Sequence, residues 1–78
     1  MLAVHPKFRD QGIGSELLEG FIDVCASNGA DKITLEVRKS SERVIRFYQK
    51  RNFQIVEHLE DFYTNGEDAY KMMRVLDG

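Results

Sequence analysis

The sequence predicts a small α/β domain with a mixed sheet, in which a strand stub, a helix, a strand, a second helix and an antiparallel hairpin follow one another. Three observations support this prediction. The apolar residues recur with a helical period before residue 28, apolar and polar residues alternate over 32–38, and Asn65-Gly66 is a strong turn signal between two further apolar runs. A right-handed crossover makes the first two strands parallel.

The first strand is a stub, Leu2-Ala3-Val4, which Pro6 ends. The first helix begins at Gly14 or Ser15 and ends near Asn28-Gly29, since both residues tolerate the left-handed conformation of a helix stop. Its apolar residues are predicted to form one broad face: Ile13, Leu17, Leu18, Phe21, Ile22, Val24 and Cys25.

The second strand is predicted over 32–38, with Ile33, Leu35 and Val37 on one face and Thr34, Glu36 and Arg38 on the other. The hydroxyls of Ser40 and Ser41 are predicted to cap a second helix over 41–51, which Asn52 ends. The apolar positions of this helix are Val44, Ile45, Phe47 and Tyr48. The ranges 53–59 and 69–76 are predicted as the strands of the hairpin.

Composition predicts one domain over residues 1–78 and excludes several classes of protein. Hydrophobic residues make up 42% and charged residues 31% of the chain, as in a globular domain. A net charge of -2 argues against nucleic-acid binding, and no apolar run is long enough to cross a membrane. The expected compartment is the cytoplasm, because no signal-peptide core precedes Pro6 and the one cysteine cannot form an internal disulfide.

Three further side chains are assigned no chemistry. His5 and His58 have no partners at metal-ligand spacing, so no metal site is expected. Cys25 lies on the apolar face of the first helix and is expected to be buried and inert.

A glycine turn, Arg9-Asp10-Gln11-Gly12-Ile13-Gly14, links the strand stub to the first helix. Its glycines allow close approach of a ligand, and the helix start offers N–H groups that carry partial positive charge, which together suit a pyrophosphate. Arg9 adds a forked donor. A tight turn with a solvated arginine is an equally good explanation of the glycines alone. The lysine of a P-loop and the third glycine of a dinucleotide fingerprint are both absent.

Four motifs in order resemble the GNAT family of acetyltransferases and cover nearly the whole chain. They are the range 2–15 with its glycine turn, Leu35-Glu36-Val37-Arg38-Lys39-Ser40, Phe47-Tyr48 with Asn52-Phe53, and the range 62–70. In combination they are similar to enzymes that acetylate protein N-termini, namely the ribosomal-protein alanine acetyltransferases and the arrest-defective type. The resemblance implies a truncated GNAT fold and acetyl-CoA as cosubstrate.

The resemblance also implies roles for individual residues. The turn would bind the pyrophosphate of acetyl-CoA, and the backbone of Leu2, Ala3 and Val4 would pair with the pantetheine arm, with an N–H near Val4 facing the thioester oxygen. Glu36 would act as general base and Tyr48 as general acid, which suits the loss of one proton from an amine and the gain of another by a thiolate. Tyr63 would order the first residues of the acceptor. The cofactor residues of the turn are Arg9, Gln11, Gly12, Ile13, Gly14 and Ser15.

Two departures from the family pattern bear on function. Ser41 stands where relatives have an asparagine that contacts the pantetheine arm, so Ser41 is expected either to take that role or to cap the helix. The resemblance also places the start of this chain within the fourth strand of the family fold, without the first half that forms one wall of the acceptor groove. The alternatives to an enzyme are therefore an inactive CoA-binding fragment and an interaction module.

The partners expected are a peptide or protein N-terminus, or a small amine. We also expect self-association through the N-terminal strand, because a stub strand leaves backbone groups unpaired and an apolar face uncovered.

Overall fold

The computed structural model describes residues 3–4 and 15–76. Six elements follow one another along this part of the chain: β1 (Ala3–Val4), α1 (Ser15–Ser27), β2 (Lys32–Arg38), α2 (Glu42–Gln49), β3 (Gln54–Leu59) and β4 (Ala69–Val75). The predicted order of strands and helices is confirmed.

The strands form one mixed sheet in the order β1-β2-β4-β3. β1 pairs with β2 in parallel, as predicted, with Ala3 opposite Lys32 and Val4 opposite Ile33. β4 pairs antiparallel with both β2 and β3, so the last strand of the chain lies between its two predecessors. The predicted hairpin is therefore confirmed, and its second strand is the one that joins the hairpin to β2.

The hydrophobic core lies on one face of this sheet. The alternation in β2 is as predicted, since Ile33, Leu35 and Val37 are each at most 3% exposed. Both helices contribute to the cluster that contains these side chains, so both helices cover the same face of the sheet. The other members of the cluster are Leu18, Ile22, Cys25, Ala30, Ile45, Tyr48, Phe53, Met72 and Leu76.

A half-buried arginine links the two helical regions on this face. Arg74 lies opposite Ile33 on β4. Its Nη1 donates to the carbonyl oxygen of Arg51 at 3.1 Å and lies 3.8 Å from Oε1 of Glu19 on α1. Because arginine combines an apolar stem with a charged end, it can pack at the margin of the core and keep its charge paired.

Only part of the apolar face of α1 is buried. Leu18, Ile22 and Cys25 are buried, but Leu17 is 69% exposed and Val24 is 59% exposed. These two residues lie at the margin of the predicted apolar face and stay in water, because only one side of α1 contacts the sheet in the described chain. Ile13 lies outside the described residues.

Both helices end in the same way. After α1, the N–H groups of Gly29 and Ala30 donate to the carbonyls of Ala26 and Cys25, with Gly29 at φ 85°. After α2, the N–H of Phe53 donates to the carbonyl of Tyr48, with Asn52 at φ 65°. These are Schellman endings, in which a left-handed residue allows the backbone to satisfy the last carbonyls of the helix. Gly29 and Asn52 thus have the left-handed conformation that the sequence predicts after each helix.

The start of α2 differs from the prediction. Ser41 is the residue before the helix, yet its hydroxyl makes no capping hydrogen bond, and its ψ of 68° departs from the extended conformation that capping residues usually adopt. Only its backbone takes part, with its N–H donating to the carbonyl of Arg38 and its carbonyl accepting from Ile45. The helix spans Glu42–Gln49, so the predicted range 41–51 was too long at both ends.

β3 is an edge strand, exposed over nearly its whole length. Its pairing with β4 shifts register between Ile55 and Glu57, and Ile55 and Val56 are 41% and 46% exposed. Phe53, which the sequence assigned to this strand, precedes it and is buried at 1% exposure. The phenyl ring belongs to the helix-covered core because the Schellman ending of α2 directs it there, and its centroid lies 5.3 Å from that of Tyr48.

Candidate functional site

The structure describes four of the ten predicted cofactor residues. Leu2, Arg9, Gln11, Gly12, Ile13 and Gly14 lie outside the described residues. Ala3 and Val4 form β1, Ser15 begins α1, and Ser41 precedes α2. The strand and the helix that flank the glycine turn are therefore both present at the positions that the sequence predicts.

The two parallel strands accompany each other over a very short distance. Among the described strands, the ladder between β1 and β2 extends no further than Val4 and Ile33. β2 continues to Arg38 with β4 as its neighbour on the other side. Among the described residues, the side of β2 that faces β1 has no strand partner from Thr34 onward, and such a strand edge can hydrogen-bond an extended ligand through its backbone.

The two residues predicted to be catalytic lie on opposite faces of the sheet. Glu36 alternates with Leu35 and Val37, whose side chains are in the core, so Glu36 points to the face that no helix of the described chain covers. It is half-buried and lies opposite Lys71 of β4.

Tyr48 belongs to the helix-covered face. Its side chain is 5% exposed and its ring makes edge contacts with those of Phe47 and Phe53, each at a centroid distance of 5.3 Å. Since β2 and β4 are hydrogen-bonded to each other throughout β2, Glu36 and Tyr48 can act on one substrate only around the other edge of β2. That edge is the one where the pairing with β1 ends.

A second group of side chains gathers where β2 ends and the loop between β3 and β4 returns to the sheet. Nη1 of Arg38 lies 2.7 Å from Oε2 of Glu67, and the guanidinium carbon lies 4.5 Å from the centre of the Tyr63 ring. Tyr63, predicted to order the acceptor, is therefore held against the last residue of β2, on the face that carries Glu36.

The same loop has a second attachment at its other side. Nε2 of His58 lies 2.8 Å from Oδ2 of Asp68, and Oδ1 of Asp68 accepts a hydrogen bond from the N–H of Asp61 at 2.9 Å. The hydrogen bond from Asp61, then the contact with His58 and the charge of Lys39, lower the pKa of Asp68. The sequence pointed to neither of these pairs, because acidic residues in a loop are usually solvated and carry no sign of their partners.

The loop itself closes with a tight turn. The N–H of Gly66 donates to the carbonyl of Tyr63 at 2.9 Å, and the N–H of Tyr63 donates to the carbonyl of Glu67 at 3.1 Å. Gly66 has a φ of 86°, so the turn signal at Asn65-Gly66 is confirmed, with the glycine as the left-handed residue. The turn borders a shallow open depression lined by Lys39, Ser40, Gly66, Glu67 and Asp68.

Other side chains of interest are not part of this site. Cys25 is buried under α1, as predicted, and burial raises the pKa of its thiol. Within the described ranges, no three His, Cys, Asp or Glu residues are grouped so that they could hold a metal ion. No helix in the same ranges combines the length and the apolar character needed to span a membrane.

Comparisons with known proteins identify the family of this chain. A family model described as the acetyltransferase (GNAT) family matches residues 1–53. An N-alpha-acetyltransferase of Saccharolobus solfataricus is 41% identical over 76 residues, which cover 96% of this chain and 46% of the relative. This chain thus spans about half the length of such relatives.

Two solved structures show the same arrangement of elements. The crystal structure of Ard1 from Thermoplasma volcanium superimposes with a TM-score of 0.84 at 30% identity, covering 97% of this chain and 55% of that one. Arabidopsis thaliana Naa50, in complex with the bisubstrate analogue CoA-Ac-MVNAL, superimposes with a TM-score of 0.75 at 32% identity, covering 88% of this chain and 47% of that one. On the family match and these likenesses, the chain belongs to the GNAT family of acetyltransferases.

Proposed function

We propose that this chain carries the acetyl-CoA half of an N-acetyltransferase that acetylates a primary amine, most specifically the α-amine of a protein N-terminus. The observation that carries the proposal is the position of Glu36 and Tyr48. Glu36 lies on the open face of β2, whose described pairing with β1 ends at Ile33, and Tyr48 lies in the core on the opposite face of the sheet. The similarity to Naa50, which was solved with a CoA-peptide bisubstrate analogue, supports both the cosubstrate and the acceptor class.

The described backbone suits acetyl-CoA at this edge. The thioester of the bound cosubstrate would supply the acetyl group. β1 and the first turn of α1 flank the glycine turn, so the N–H groups at the start of α1 and the side chain of Arg9 would hold the pyrophosphate. The backbone of Leu2, Ala3 and Val4 would pair with the pantetheine arm, and an N–H near Val4 would donate to the thioester oxygen. Gln11, Gly12, Ile13, Gly14 and Ser15 would complete the cradle.

Glu36 would act as general base. A protonated amine cannot attack a thioester, so a carboxylate near the acceptor must take one proton, directly or through water. Glu36 is the acidic side chain of β2 and lies on the same face as Tyr63, the residue proposed to order the acceptor.

Tyr48 would act as general acid from the other face. The leaving thiolate of CoA has a parent pKa of about 8.5 and a phenol one of about 10, so proton donation by Tyr48 is slightly uphill. In a site shielded from water the thiolate and the phenolate are both poorly stabilised, so the transfer is feasible when the phenol is held at the leaving sulfur. The buried position of the Tyr48 ring supports such a site.

The experiment compares acetyl transfer to an alanine- or serine-starting peptide by the wild-type chain, Glu36→Gln and Tyr48→Phe. Each substitution is expected to lower kcat about 10²-fold or more, with acetyl-CoA binding by calorimetry unchanged. Glu42→Gln and Tyr70→Phe are the matched controls. Glu42 is an exposed glutamate of α2 that pairs with Arg46, and Tyr70 is a half-buried tyrosine of β4. Unchanged transfer in Glu36→Gln and Tyr48→Phe would contradict the mechanism.

One alternative to an active enzyme is an inactive CoA-binding fragment. Saturable acetyl-CoA binding without transfer to any amine would support that alternative. Absence of binding would instead favour an interaction module.

Ser41 would contact the pantetheine arm in the active form; its hydroxyl has no capping role that competes with this.

Two further proposals rest on the sequence. We infer a cytoplasmic location, and self-association through β1. β1 is an edge strand in the described sheet, and a second copy could pair with its backbone there. A monomeric mass by light scattering at high micromolar concentration would contradict self-association.

A further inference from the structure

Arg38 occupies the point where the sheet and the β3–β4 loop (residues 60–68) meet. It is the last residue of β2 and lies opposite Ala69, the first residue of β4. Ala69 in turn lies opposite Leu59, the last residue of β3. The loop therefore leaves and re-enters the sheet beside Arg38, and any side chain fixed to Arg38 is fixed relative to β2.

Arg38 contacts two loop residues with two different parts of its guanidinium group. One nitrogen makes a 2.7 Å ion pair with Glu67, and the flat face of the group covers the ring of Tyr63 at 4.5 Å. Arginine can do both at once because its guanidinium is planar and its donors lie in that plane. Both members of the ion pair are partly shielded, with side-chain exposures of 35% and 41%.

The turn makes Tyr63 and Glu67 a single unit. The N–H of Tyr63 donates to the carbonyl of Glu67, the N–H of Gly66 donates to the carbonyl of Tyr63, and the N–H of Glu67 donates to Oδ1 of Asn65. When Arg38 holds Glu67, it consequently limits the positions that the Tyr63 ring can take.

Arg38 and Glu36 share one face of β2 and are separated by one residue. Side chains two residues apart in a strand are about 6.6 Å apart along it. The Tyr63 ring on Arg38 is thus close to the face from which Glu36 would accept the proton of the amine.

We propose that Arg38 is a positioning residue, which holds Tyr63 beside Glu36 so that the loop orders the first residues of the acceptor. This inference rests on the proposed function. It assigns the effect of Arg38 to the acceptor alone, because the contacts of the Arg38 side chain described above are with Glu67 and Tyr63 of the loop. The attachment of His58 and Asp61 to Asp68 does not involve Arg38, so the loop keeps its other attachment when Arg38 is replaced.

The test compares the wild-type chain with Arg38→Met, Arg38→Lys and Glu67→Gln, each first checked for folding by its urea unfolding curve. Steady-state kinetics give KM for an alanine-starting peptide and KM for acetyl-CoA. Backbone amide hydrogen exchange at Tyr63 and Gly66 reports the order of the loop. Arg46→Met is the matched control, since Arg46 is an exposed arginine of α2 paired with Glu42.

Arg38→Met is expected to raise the peptide KM by about tenfold or more, as the loss of one charge-assisted hydrogen bond implies, with KM for acetyl-CoA unchanged. Exchange at Tyr63 and Gly66 should become faster. Arg38→Lys and Glu67→Gln should have smaller effects in the same direction, because the first keeps the charge and the second keeps the ring contact. Arg46→Met should match the wild type.

Unchanged exchange in Arg38→Met would overturn the inference, and so would faster exchange with an unchanged peptide KM. An equal rise in both KM values would overturn its restriction to the acceptor. If the wild-type chain acetylates no amine, the proposed function fails by itself. The exchange comparison then still decides whether Arg38 orders the loop.

Discussion

The helix-covered core and the β3–β4 loop are held together by different forces. The core is a continuous cluster of apolar side chains between the sheet and the two helices. The loop buries little: Phe62 is 47% exposed, and its attachments are the Arg38–Glu67 ion pair and the contacts of Asp68. Apolar burial gives the larger contribution to folding, whereas partly exposed ion pairs give little.

The difference separates stability from site geometry. A substitution in the core should lower the stability of the whole domain. A substitution in the loop should change where Tyr63 lies and leave the rest folded. The loop should also open locally at a lower free energy than the core, because few buried apolar contacts hold it. Three substitution pairs or series test this separation.

The largest effect is expected for Phe53→Ala compared with Phe62→Ala. Phe53 is 1% exposed, so its removal leaves a cavity and should lower the free energy of unfolding by about 3–5 kcal/mol. Phe62 contacts Tyr63 edge-on at 5.1 Å but is otherwise exposed, so its removal should cost about 1 kcal/mol or less. Urea unfolding followed by circular dichroism measures both.

If Phe53→Ala is unfolded at all urea concentrations, Phe53→Leu replaces it in the comparison, since leucine fills most of the cavity. Equal losses in the free energy of unfolding of the two alanine variants would show that the loop unfolds together with the core. That result would contradict the proposed separation of stability from site geometry.

The second-largest effect concerns two glycines with different backbone conformations, one in a turn and one within a helix. Gly66 has a φ of 86°, a conformation that costs an alanine about 1–2 kcal/mol, so Gly66→Ala should lower stability by that amount. Gly20 lies within α1, and beyond its own helix no described atom lies within 4 Å of an added Cβ, so Gly20→Ala should raise stability by about 0.5–1 kcal/mol. Thermal unfolding should show Tm shifts of opposite sign. A rise for both would mean that the turn at Gly66 readily takes another form.

The smallest effect is a pH dependence at Asp68. Its pKa is lowered in the folded chain, so the unfolded chain binds a proton more readily, and the stabilisation is present above the unfolded pKa of about 3.9. It is lost as pH falls through the folded pKa. The difference in urea midpoint between the wild type and Asp68→Asn should therefore shrink below about pH 4. A difference that persists unchanged at about pH 3 would contradict this assignment.

Local sequence patterns predicted the helices and strands well, because the conformation of each depends mainly on residues that are close together in the sequence. The alternation of Ile33, Leu35 and Val37 reflects a strand with one face on the core, and Gly29 and Asn52 mark helix ends because few residues accept a positive φ. Ser41 shows the limit: its hydroxyl suits a cap, but the conformation between β2 and α2 directs it elsewhere.

The contacts of the site depend on residues far apart in the chain. Arg38 and Glu67 are 29 positions apart, and nothing in either segment identifies the other. The insertion of β4 between β2 and β3 is likewise invisible to periodicity, since it depends on which strand packs best against the core. Likewise, the exposure of Leu17 follows from the neighbours of α1 rather than from its own apolar period.

The pairing of Leu59 with Ala69 has a consequence for how the acceptor preference of such a chain could diversify. The two ends of the loop are neighbours in the sheet, so the range 60–68 can be exchanged or lengthened without moving either strand. The entropic cost of a longer loop is small, about 0.6 kcal/mol for each doubling of length. The loop is thus an exchangeable segment between two paired strand ends, and insertions there could change the proposed acceptor specificity while β2 stays as it is.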